Sequence, residues 1–134
     1  PGIAALLVFG FGMLIIGAFA TDLVGDAKTI EGKIHGIATM ISFSLFPAAL
    51  FLLSLSFKRD TDWRHVYHYT IIASVVSVLL AITLQFFDDG VNYFGLVERI
   101  LVLNMIIWVE VMAVNLLRLS LKRGERLETQ AKTG

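Results

Sequence analysis

Apolar residues fall into four long runs along this chain, at about 3–20, 34–57, 69–87 and 100–121. Short clusters between the runs hold nearly all the charge. Crossing about 30 Å of hydrocarbon takes roughly 20 helical residues. Inside lipid every backbone polar group must be paired within the protein, so each run predicts a membrane-spanning helix. The first run carries Gly10, Gly12 and Gly17; Gly10 and Gly17 lie two turns apart on one face, a pattern that predicts close helix packing. In the linker that follows, Asp26 or Thr29 is placed to cap the second helix, with Glu31 near its positive end. The second run is the longest and contains Pro47, which predicts a kink near Phe43 to Pro47. On it His35, Thr39, Ser42 and Phe46 share one helical face. On the third run Thr70, Ser74, Ser77 and Ala81 form a stripe of small residues, again a packing pattern. On the fourth, Asn104, Trp108, Val111, Asn115 and Arg118 form a stripe expected to face a partner subunit or further helices. Its polar tail, 122–134, is expected to fray.

Composition strengthens this reading. Of 134 residues, 57% are hydrophobic and 16% charged, against about 45–50% and about 25% in soluble domains. The expected fold class is all-α, a polytopic bundle of four spans in a single domain, 1–134. The absence of cysteine rules out disulfides, thiolate zinc sites and a cysteine nucleophile. A net charge of +0 leaves no footprint for nucleic acid. The expected partners are the lipid bilayer and other membrane subunits. Basic residues give an orientation. Lys58, Arg59 and Arg64 lie on the same side as Arg118, Lys122, Arg123, Arg126 and Lys132; the other side has Lys28, Lys33 and Arg99. The positive-inside rule then puts the N-terminus, the 58–68 linker and the C-terminus in the cytoplasm of a cell (inner) membrane protein. The chain starts at Pro1 with neither a methionine nor a basic leader, so its first run does not read as a signal peptide.

Two positions are candidates for chemistry. His35 stands about one turn inside the outer boundary, with Asp22 across the linker. Histidine suits proton handling at neutral pH, so Asp22 and His35 are candidate catalytic residues. The plainer reading is a histidine that bonds the preceding loop and holds the hairpin. A metal site would need Asp22, Glu31 and His35 to converge, and no metal is expected. Glu110 lies near mid-membrane, where an acidic side chain costs on the order of 2.5–3.5 kcal/mol on insertion scales and usually faces the bundle interior. Ser42, Ser44, Ser74 and Ser77 lie at similar depth as hydrogen-bonding partners. His65 and His68 read as interfacial residues of the central linker, beside Trp63, Tyr67 and Tyr69. No cofactor is expected; a haem or pigment held by His35 would overturn that. Phosphate-binding glycine loops, zinc-protease motifs and nucleophile elbows are absent from the sequence.

These residues carry a resemblance. Gly17-x-Phe19-x-Thr21-Asp22 closes one run and Thr29-x-x-Gly32-x-x-His35 opens the next. With Pro47, Trp63-Arg64 and Tyr69-Thr70, this pattern resembles the domain-of-unknown-function family 998. The resemblance spans roughly Gly10 to Gln85. It implies a polytopic prokaryotic membrane protein, typically of six helices, so two helices are expected before Pro1. It implies no activity for Asp22 or His35. The leading expectation is a non-enzymatic component or accessory subunit of a membrane complex. The alternatives are a membrane-embedded enzyme acting on lipid through Asp22 and His35, and a small transporter or proton path through Glu110.

Overall fold

The computed structural model describes residues 1–22, 27–86 and 93–133. Four α-helices follow one another: α1 (Gly2–Ala18), α2 (Ile30–Phe57), α3 (Tyr67–Phe86) and α4 (Phe94–Thr133). No strand occurs among the described residues. Each helix packs against the next, so α2 and α3 occupy the middle of the row. Helices α2, α3 and α4 are long and apolar enough to cross a membrane. At 17 residues α1 is shorter, at the lower end of what spans hydrocarbon.

Local chemistry sets the element ends. Thr29 caps α2, its hydroxyl accepting the Gly32 N–H at 3.0 Å. Glu31 in the first turn complements the positive end of the helix. Asp26, the other cap considered, lies outside the described residues, as do Asp88 and Asp89. Helix α2 runs unbroken through Pro47. Past it, the Asp60 carboxylate accepts the Asp62 N–H at 2.9 Å, an Asx turn that reverses the chain. Trp63 then stacks on Phe57, with ring centroids 4.9 Å apart and planes 13° from parallel. A single 3-10 turn, Arg64–Val66, leads into α3.

The core follows a line of aromatics across the row. Phe9 of α1 meets Phe46 of α2 at 4.8 Å, and Phe46 meets the edge of Trp108 of α4 at 5.9 Å. Leu50, Ala73, Leu101, Met105 and Met112 fill in around them. Exposed large apolar side chains outnumber the buried ones, with Leu7, Phe11, Met40, Ile72, Leu103 and Leu117 among them. A soluble surface rarely carries apolar patches of that extent. Hydrocarbon is the solvent such a surface requires.

Two expectations about α4 need correction. Beyond Leu121, where fraying is expected, α4 continues as helix to Thr133. Its 40 residues extend about 60 Å at 1.5 Å per residue, so the C-terminal third projects past any bilayer core. The reason is composition: in residues 122–133 Lys, Arg, Glu, Gln, Leu and Ala, strong helix formers, outnumber Gly124, Thr129 and Thr133, and there is no proline. The stripe of Asn104, Trp108, Val111, Asn115 and Arg118 faces outward only at its end, where Arg118 is exposed. The rest turns into the bundle, with Trp108 and Asn115 buried and Asn104 and Val111 partly so.

Candidate functional site

The polar hairpin joining α1 to α2 is a clasp built from four side-chain positions. The Asp22 carboxylate accepts two bonds from Thr29, one from its N–H at 3.1 Å and one from its hydroxyl at 2.6 Å. The same hydroxyl oxygen accepts the Gly32 N–H. One hydroxyl proton and one lone pair are thus both used, and Asp22 sits at the helix end that favours an anion. Gly32 leaves the room this requires, because a Cβ there would overlap the Asp22 carboxylate. One turn further on, His35 Nδ1 lies 2.8 Å from the carbonyl oxygen of Phe19. A carbonyl can only accept, so Nδ1 carries the hydrogen. Phe19 is the residue on which α1 ends. His35 thereby ties the second helix to the end of the first.

Asp22 bonds Thr29, and His35 bonds Phe19 through Nδ1. Among the described residues no hydrogen bond joins them to one another. Both are partly buried, while Glu31 is exposed. No three His, Asp or Glu side chains among the described residues come together as a metal-holding group. His65 and His68 lie past the far end of α2 from His35, about 33 Å along that helix. No second imidazole stands near His35 to complete a bis-histidine haem site.

Buried polar groups form a seam between the helices. Ser74 donates to the Pro47 carbonyl at 2.9 Å. Asn104 Nδ2 donates to Ser77 Oγ at 2.8 Å and to the Ala73 carbonyl at 3.2 Å. Trp108 Nε1 donates to Thr70 Oγ1 at 3.2 Å. Of the stripe Thr70, Ser74, Ser77 and Ala81, the first three are buried and Ala81 is partly so. Ser42 is fully buried without a hydrogen-bond partner among the described residues, as are Thr39 Oγ1 and Asn115 Nδ2. The close approach of α1 to α2 is made at Gly2 and Gly12, where a Cβ would meet Leu53 and Ser42. Gly10 and Gly17 face open space, which corrects the packing role read from their spacing.

Glu110 is the second correction. Its side chain is exposed, flanked by exposed Ile106, Ile107, Val109, Ala113 and Val114. The buried side of α4 is taken by Leu101, Met105, Trp108, Met112 and Asn115. Two residues past Trp108 is a rotation of about 200°, which carries Glu110 to the opposite face. The serines proposed as its partners are engaged or distant in the row: Ser74 and Ser77 bond Pro47 and Asn104, and Ser42 lies against Gly12. Among the described residues nothing in the chain hydrogen-bonds the Glu110 carboxyl. Other hydroxyls on outer or partly exposed faces solve this problem alone: Ser44 and Thr83 donate to the carbonyls of Met40 and Leu79, both at 2.8 Å. A glutamate is not satisfied in that way.

The sequence pointed to Asp22 and His35 but missed Thr29 and Gly32 as their structural partners. The Thr-x-x-Gly-x-x-His spacing, which puts all three within two turns, was the available signal. It also missed Thr70, Asn104 and Trp108 as a bonded set; the small-residue stripe on α3 was half of that signal.

No curated protein and no solved structure matches the chain. A family model described as "Protein of unknown function (DUF998)" matches residues 1–115. That match covers the clasp, the aromatic line and the polar seam, and the chain belongs to this family of membrane-type helical proteins, DUF998.

Proposed function

We propose that the protein is a non-enzymatic component of a membrane complex, held in place by the outer face of α4. The observation that carries this is Glu110: an acid near the middle of an apolar helix, exposed, with no hydrogen-bonding partner among the described residues. An acid at that depth costs free energy unless protein or water meets it. A neighbouring membrane helix with a hydrogen-bonding side chain would meet it. The reading as a lipid-acting enzyme loses support because Asp22 and His35 are engaged in the clasp and not in a pair. A proton path through Glu110 loses support because the carboxyl points away from the bundle interior.

The orientation belongs to the same proposal. The protein sits in the inner membrane of a prokaryote with its N-terminus, the 58–68 linker and its C-terminus in the cytoplasm, following its basic residues. The test is photocrosslinking in native membranes from benzoylphenylalanine placed at Ile107 or Ala113, beside Glu110. A discrete protein adduct, weakened by Glu110→Leu and retained with Glu110→Gln, is expected. Adducts to lipid alone would refute the complex.

A further inference from the structure

Where α4 leaves the bundle it forms a groove of about 780 Å³ with the turn after α2. Its two ends differ in chemistry. Trp63, Leu116 and Leu119 make an apolar end on the bundle side. Lys122, Arg123 and Arg126 make a cationic end one to two turns further along. Asp62 is the acidic side chain in the lining, outnumbered three to one. All three cations are exposed, and Trp63 is half-buried against Phe57.

We propose that this groove is a binding site for an anionic phospholipid, its phosphate held by Lys122, Arg123 and Arg126 and its acyl chains laid along Leu116, Leu119 and Trp63. Charge complementarity selects the anion. Lysine and arginine just outside a membrane helix attract anionic headgroups, and arginine matches the oxygen geometry of a phosphate with paired donors. The apolar end selects a lipid over a free anion. A soluble phosphate has nothing to place against two leucines and an indole. A phospholipid has both parts in this order, because Leu116 and Leu119 precede Lys122 on a helix running out of the bundle. The site rests on residues separate from the Glu110 face, so it stands or falls independently of the proposed assembly.

The test is native mass spectrometry of the full chain in neutral detergent. It is offered equal amounts of phosphatidylglycerol and phosphatidylcholine with identical acyl chains. Wild type is expected to retain phosphatidylglycerol preferentially. The triple variant Lys122→Gln, Arg123→Gln, Arg126→Gln is expected to lower that preference about tenfold or more, since each basic residue near an anionic surface contributes about fivefold. The variant Lys28→Gln, Lys33→Gln, Arg99→Gln changes net charge equally at the other end and is expected to keep it. No preference in wild type, survival of the preference in the first variant, or equal loss in both overturns the proposal. Displacement of the lipid by an equal concentration of glycerol 3-phosphate would overturn it too, by making the groove a site for a free anion.

Discussion

At Gly32 a hydrogen atom stands where any other residue would put a carbon into the Asp22 carboxylate. That carboxylate has two bonds to Thr29 to lose. Gly32→Ala is therefore expected to cost the clasp, about 1–3 kcal/mol, although alanine is the better helix former. Gly36, one turn on, has nothing near it. Gly36→Ala is expected to be neutral or stabilising by up to about 1 kcal/mol. Unfolding in mixed micelles compares the two; equal effects would mean the crowding at Gly32 is relieved without breaking a bond. Gly12 offers a sharper contrast. A Cβ there meets the Ser42 hydroxyl, which has no hydrogen bond to forfeit and can rotate aside. Gly12→Ala is expected to cost less than Gly32→Ala, and Ser42→Ala to be neutral or mildly stabilising, because it removes a buried polar atom without a partner.

The helices show which features a sequence exposes. Spacing told which residues share a face: Thr70, Ser74 and Ser77 did so and are buried together. It did not tell which neighbour that face meets. Asn104 and Trp108 look like candidates for an external partner until α3 is seen to supply Ser77 and Thr70. Glu110 was misplaced by a rule about acids in membranes, although the apolar series Leu101, Met105, Trp108, Met112 already put it on the opposite side. The positions of the clasp were legible because polar groups gather where a span meets water. Their roles were not, since a spacing does not say whether His35 bonds Asp22 or the Phe19 carbonyl. For α4, Asn104→Leu is expected to destabilise the contact with α3 by about 0.5–2 kcal/mol, in the range of membrane hydrogen bonds. Trp108→Phe, which keeps the ring against Phe46 and loses one bond, is expected to cost less. If Asn104→Leu stabilises the bundle, the Asn104 bonds contribute nothing net to the α3–α4 seam.

For the whole molecule the question is which way the bundle lies in the membrane. One end carries Lys58, Arg59, Arg64, Arg118, Lys122, Arg123, Arg126 and Lys132 against four acids, while the other carries Lys28, Lys33 and Arg99 against six. Basic residues near span ends resist translocation and acids contribute little, so the proposed orientation places the first end on the cytoplasmic side. The chain contains no cysteine, which makes single-cysteine reporters unambiguous. Thr61 and Lys28 are exposed and stand at opposite ends of α2. In intact cells a membrane-impermeant maleimide is expected to label Lys28→Cys and to leave Thr61→Cys unlabelled until the membrane is opened. Neither residue donates or accepts a side-chain bond in the clasp or the seam, so the substitutions report position without disturbing the bundle. Labelling of Thr61→Cys from outside, with Lys28→Cys protected, would invert the molecule. It would also move the groove of Lys122, Arg123 and Arg126 to the leaflet facing away from the cytoplasm, where the anionic lipid it binds would have to be supplied.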